Sequence, residues 1–172
     1  MHVKLGLAQI DPKLGDLNGN LDHHLAVMEE AKAQGVDLLV FPELSLTGYY
    51  LQDLVFEVSA RPSAGDPLFD PLLAASRAHG MDVSVGFVEE DHRHRFFISQ
   101  AYLSRGEVVN VHRKVYLPTY GMFDEGRYFA WGDSVRAFDT RFGRCLLYTS
   151  DAADDLLCVD LGGGLIIKKK KY

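Results

Sequence analysis

Three strand-like runs in close succession, "MDVSVGFVEE", "RFFISQAYLS" and "GEVVNVHRK", constrain this chain more than any other feature. Only "DHRH" and "RG" separate them, so the runs read as strands joined by hairpin turns. Upstream the texture differs. Val3, Leu5 and Leu7 alternate with Lys4 and Gly6, the pattern of a first strand. The turn-rich "DPKLGDLNGN" follows, and Asn18 or Asn20 could cap a helix with Leu21, Leu25 and Met28 on one face, ending near Gly35. "VDLLVF" is a short continuous apolar run, as in a strand buried on both faces. "PELSLTGYYLQDLV" breaks it and starts another helical turn or two. A second amphipathic helix from about Asp66 to His79 groups Leu68, Leu72 and Ala75, and Gly80 stops it. A further strand is expected at Ser134 to Phe138, after the loop "VYLPTYGMFDEGRYFAWGD". Strands alternating with helices, then a strand-rich stretch, predict an α/β layered fold.

Composition narrows the function. A chain of 172 residues suits one domain with a sizeable core, and 47% hydrophobic with 24% charged residues is a globular mixture. Net charge is −6, with no basic stripe outside the last lysines, which argues against nucleic acid as a partner. No apolar run reaches the length of a membrane span, and the opening run is too short for a signal-peptide core. A cytoplasmic protein with no membrane partner is the expectation. The two cysteines, Cys145 and Cys158, lie near the C-terminus, so residues 1–144 can build neither a disulfide framework nor a zinc cluster.

Three residues could carry chemistry. Glu43, in "LLVFPELSLTGYY", lies just past the end of a buried strand, where α/β folds place ligands and catalysis. Apolar surroundings there would raise its pKa towards a general base's range; the alternative is a solvated loop glutamate. Lys114, in "VNVHRKVYLPTYG", also follows a strand, and could stabilise an oxyanion or be an ordinary strand-end charge. Glu125, in "GMFDEGRYF", could position Lys114 or a substrate amine, or pair with Arg127 at the surface. His92 and His94 have a spacing that could hold a metal, but a hairpin tip explains them without one. His23 and His24 are adjacent on a helix and face different directions.

Together, "FPELSLTGYY" and "HRKVYLPTYGMFDEGRYF" resemble the first two signature blocks of the nitrilase, or carbon–nitrogen hydrolase, superfamily. Their order and separation of about seventy residues suit it, and the likeness spans nearly all of residues 1–144, including "LGLAQIDPKLGDLNGNL". The resemblance implies an α/β fold, a nitrilase-like α-β-β-α sandwich, here truncated. It implies that a Glu, a Lys and a Cys hydrolyse non-peptide C–N bonds of a small amide or nitrile-type substrate. Glu43 then matches the general base, Lys114 the oxyanion-stabilising lysine and Glu125 an additional glutamate. No metal or organic cofactor is implied, and the full-length protein is expected to be a homo-oligomer. "GYYLQDLV" and "LPTYGMFDEGRYF" look particularly like the glutaminase domain of a glutamine-dependent NAD synthetase. A non-catalytic binding protein that keeps the fold is the alternative from a different class.

The family's third block, a strand ending in a cysteine with acidic and aromatic neighbours, is missing. Cys145 comes too early and Cys158 too late, so neither is assigned as nucleophile. Read back into codons, "CLLYTSDAAD" gives TGT CTC TTA TAC ACA TCT GAC GCT GCC GAC, which resembles a transposase mosaic-end adaptor from sequencing libraries. The expectation is therefore that the native reading ends at Arg144. Residues 1–144 would be the N-terminal portion of the domain, residues 145–172 a non-native tail, and the chain as written inactive.

Overall fold

A computed structural model describes residues 2–120 and 123–147, and the backbone of 165–168. Five strands form one sheet in sequence order: β1 (Leu5–Leu7), β2 (Leu38–Val40), β3 (Asp82–Glu90), β4 (Phe96–Ser104) and β5 (Glu107–Arg113). The first three run parallel, connected through helices α1 (Leu17–Ala33) and α2 (Phe69–His79). The last three are antiparallel hairpins, as their short spacers require. A short helix α3 (Glu125–Tyr128) precedes a second antiparallel sheet of β6 (Ala137–Thr140), β7 (Gly143–Leu147) and β8 (Leu165–Lys168). Strand β7 thus crosses Arg144 without interruption.

Local expectations hold with some adjustments, one being that the strand expected at Ser134 to Phe138 is β6 at Ala137–Thr140. The N-cap of α1 is Asp16, whose side chain accepts from the Gly19 amide at 3.0 Å; Asn20 lies inside the helix, buried. Helix α2 begins at Phe69, because Asp66 accepts from the Leu68 and Phe69 amides and so organises the entry. Its end is as expected, with Gly80 left-handed at φ +60°. The segment after Glu43 forms a single 3-10 turn over Gln52–Phe56.

The two faces of the first sheet differ in kind. One face packs Leu39, Phe41, Val83, Val85, Phe87, Ala101 and Leu103 against Leu21, Met28, Phe69 and Leu72 of the helices. The other carries Leu38, Asp82, Ser84, Gln100, Tyr102 and His112 by strand register. The β6–β7 hairpin covers one end of it, where Phe138, Phe142 and Leu147 meet Leu38 and Tyr102. Helices, sheet and second sheet are the layers of a nitrilase-like α/β fold. Leu5 and Leu7, on the same face of the edge strand as Leu38 and Val40, are exposed.

Asp82 ties the two sheets together. It is buried and accepts from Tyr102 Oη at 2.8 Å, Ser104 Oγ at 2.7 Å and Arg141 Nε at 3.1 Å. Arg141 also donates to the Asp37 carbonyl at 2.8 Å and stacks over Phe142 at 4.5 Å. Replacing Arg141 by Met keeps much of the stem but leaves a buried carboxylate short of its cation, a loss of about 1–3 kcal/mol. Hydrogen exchange is expected to quicken at the amides of β7 while those of β3 stay protected.

His24 sets a pH limit. Burial lowers its pKa from 6.5 to about 4, against an opposing hydrogen bond to Asn20. Because the folded value is the lower one, the unfolded chain takes the proton first. His24's contribution is intact above pH 6.5, shrinks as pH falls towards 4 and is flat below that, a loss of about 3 kcal/mol. Urea unfolding at pH 7 and pH 4 should show this decrement in the wild type, and a smaller one in His24→Leu.

Candidate active site

The segment that carries Glu43 is a turn pressed flat against β3. The Phe41 amide still bonds Ser84 O at 2.9 Å, and then Pro42 ends the pairing. Leu44 takes a left-handed φ of +50°, and the Leu46 amide returns to Gly86 O at 3.0 Å. Gly86 permits the crossing. A Cβ there would lie 2.5 Å from both Pro42 O and Leu44 N. Its place inside "SVGFV" was the available sequence signal, since a glycine within a strand marks close approach of another backbone.

Lys114 leaves the end of β5 on the same side. Its amide donates to Ile98 O at 2.8 Å, and its carbonyl accepts from Gly132 at 2.8 Å. Gly132 is again a clearance residue, because a Cβ would come within 2.3 Å of Arg113 O. The ammonium of Lys114 lies 3.0 Å from Glu43 Oε1 and 3.0 Å from Glu125 Oε1. Lys114 and Glu125 are only 5% and 6% exposed, whereas the Glu43 side chain is 28% exposed. Tyr49 Oη also donates to Glu125 Oε1. Burial alone would lower the lysine's pKa, but Glu43 and then Glu125 outweigh it and hold the pKa above its ordinary value. Glu125 Oε2 is buried and has no hydrogen-bond partner among the described residues. Beside it a cavity of about 160 Å³ is lined by Tyr49, Leu51, Ile98, Phe123, Tyr128 and Phe129 among others.

The three candidates therefore converge. Glu125 does not pair with Arg127; Arg127 reaches Asp124 instead, at 4.0 Å. His94 sits at the hairpin tip with φ +58°, paired with Glu90. No metal-ligand group is found among the described residues. His24 is buried and His23 exposed, so they do face apart. Cys145 is buried on β7, and burial pushes its thiol up to about 12, the environment of an inert thiol. Cys158 lies outside the described residues. Sequence reasoning missed Tyr49, Gly86 and Gly132, whose roles depend on contacts between distant segments.

A helix-backed parallel–antiparallel sheet with a Glu–Lys–Glu cluster at its strand ends, buried at Lys114 and Glu125 and half-buried at Glu43, is a nitrilase-like α/β fold. The amidase of Nesterenkonia AN1, from that superfamily, superposes with a TM-score of 0.73 at 23% identity, over 87% of this chain and 56% of its own. The chain belongs to the carbon-nitrogen hydrolase family, whose profile matches residues 4–153. It is 38% identical over 133 residues to the glutamine-dependent NAD(+) synthetase of Thermotoga maritima, covering 77% of this chain and 23% of that protein. The corresponding synthetase of Acinetobacter baylyi is 34% identical, with 79% and 24% covered. The structure of glutamine-dependent NAD+ synthetase from Acinetobacter baumannii, in complex with ADP, matches with a TM-score of 0.70 at 32% identity, over 83% of this chain and 26% of that one. The chain thus spans about a quarter of the length of these synthetases. No helix among the described residues is long and apolar enough to cross a membrane.

Removing the cation should expose the cluster's electrostatics. Lys114→Met leaves two carboxylates facing each other and is expected to cost about 3–5 kcal/mol. Adding Glu43→Gln and Glu125→Gln to it should restore most of that loss, as read from urea midpoints. Additive losses across the three substitutions would show that the groups do not interact.

Proposed function

We propose that the complete domain to which residues 1–144 contribute hydrolyses a C–N bond of a small amide, with Glu43 and Lys114 in direct contact with the reacting groups. The carrying observation is the ammonium of Lys114 held 3.0 Å from each of Glu43 and Glu125 at the strand ends. In this reading Glu43, the more exposed carboxylate, is the general base. It takes the proton of a cysteine thiol supplied beyond the two cysteines of this chain. The thiolate forms a bond to the amide carbon, and Lys114 stabilises the negative charge that develops on the amide oxygen. Glu43 returns the proton to the departing amine or ammonia as the C–N bond breaks. Water, deprotonated by the same carboxylate, then cleaves the thioester and regenerates the thiol. Glu125 positions Lys114. The inert setting of Cys145 supports leaving it out of this sequence.

The relatives favour glutamine as the amide. Sequences named glutamine-dependent NAD(+) synthetase resemble this chain at 38% and 34% identity. In that reading the released ammonia serves a second domain. The test uses the gene's own continuation in place of residues 145–172. Ammonia release from glutamine is expected, and Glu43→Gln and Lys114→Ala should each lower kcat at least about 10²–10³-fold. Turnover of acetamide but not glutamine would select a free-standing amidase. Unchanged rates in both variants would overturn the site assignment, and a folded, complete protein that hydrolyses neither would support the binding-protein alternative.

A further inference from the structure

His24 takes no part in the chemistry above, yet it is fully buried beneath the turn that carries Glu43. Its ring stacks on Phe41 with centroids 4.1 Å apart and planes 27° apart. Its Nδ1 lies 2.7 Å from Asn20 O and its Nε2 lies 2.9 Å from Ser45 Oγ. Phe41 and Ser45 stand two residues before and two residues after Glu43. We propose that His24 is a positioning residue for Glu43, clamping the turn on both sides from helix α1. This rests on the reading of Glu43 as the general base.

The hydrogen bonds assign the protons. A carbonyl can only accept, so Nδ1 must carry the hydrogen that reaches Asn20 O. The Nε2 of the neutral ring is then an acceptor, and Ser45 Oγ donates its one hydrogen to it at 2.9 Å in preference to Gly86 O, the other acceptor in reach, at 3.3 Å. Ser45 Oγ in turn accepts from the Gly86 amide at 3.3 Å. The relay therefore joins helix α1, the Glu43 turn and the strand on which that turn rests. Burial, which lowers the pKa of His24, keeps the ring in this neutral form at neutral pH. Asn20, one helical turn earlier, reinforces the clamp, with its Nδ2 donating to Leu46 O at 3.0 Å and to Lys13 O at 2.8 Å. A leucine could fill the volume and meet Phe41. It could not fix the rotation of the turn through Ser45, and that rotation sets where Glu43 meets Lys114.

Glu125 is held differently, by its amide on Pro118 O at 3.2 Å and by the bond from the Phe129 amide to its carbonyl at 2.9 Å. The proposal therefore predicts a selective loss. NMR on the chain should first show His24 at pH 7 with Nδ1 protonated and Nε2 bare; an Nε2-protonated ring would overturn the relay. In His24→Leu and Ser45→Ala, the through-space contact between the Lys114 and Glu43 side chains is expected to vanish while that between Lys114 and Glu125 persists. Persistence of both contacts in a destabilised variant would mean that His24 only fills the core. Loss of both would mean a general collapse of the site. Either result overturns the proposal. Should His24→Leu fail to fold, Ser45→Ala and the wild-type tautomer decide. None of these readouts needs turnover, so they can stand even if Glu43→Gln leaves the complete enzyme active.

Discussion

An ammonium held out of water between two carboxylates is the interaction on which the arrangement of this chain turns. Lys114 at the end of β5 meets Glu43, seventy-one residues earlier, and Glu125, eleven residues later. Taking such a cation out of water costs several kcal/mol, and only close, well-oriented anions offset that. Each anion therefore needs its own backbone support. The two glycines that allow close approach, Gly86 under the Glu43 turn and Gly132 beside Lys114, are part of that support. A side chain at either position would move one member of the cluster away from the others.

The same demand explains why the sheet has unlike faces. Against the helices it is apolar, and burial of Phe41, Phe69, Phe87 and Met28 supplies driving force for folding. The opposite face has hydrogen-bonding side chains at Asp82, Ser84, Gln100 and Tyr102, three of them fully or nearly fully buried. These are tolerable only because each finds a partner: Ser84 and Tyr102 accept from or donate to neighbouring side chains, and Asp82 collects three donors. A polar sheet face on which most groups find partners can hold charged groups in a fixed geometry, which an apolar face of similar packing could not do without desolvating them unpaired.

Sequence reading reached the strands and helices, and singled out the three residues that the structure brings together, because each leaves a local trace. Periodicity marks β3 to β5, Gly80 marks the end of α2, and the two signature-like blocks hold Glu43, Lys114 and Glu125. Apart from Gly86, a glycine inside a strand, what it missed has no such trace. Asn20 looked like a cap because caps and buried anchors draw on the same residue types, and only the tertiary placement of Lys13 and Leu46 distinguishes them. Glu125 could have paired with Arg127, a near neighbour in sequence, and the structure prefers a buried lysine brought by β5. Leu5 and Leu7 have the alternation of an inward face, but alternation reports only that a strand has two faces, not what covers each.

Exposure divides the work between the two carboxylates. Both contact the same ammonium at 3.0 Å, so distance does not tell them apart. Glu125 is buried and also takes a hydrogen bond from Tyr49, which fixes its place; its remaining oxygen is buried without a hydrogen-bond partner among the described residues. Glu43 is the one that solvent can reach. A group that must accept a proton and release it to a leaving amine needs access, and the buried carboxylate meets that condition less well. Lys114 is no alternative, since the two anions keep it an ammonium through the neutral range. In the proposed chemistry proton traffic thus falls to Glu43, while Glu125 and Lys114 keep fixed charges against which the transition state can be stabilised without reorganisation.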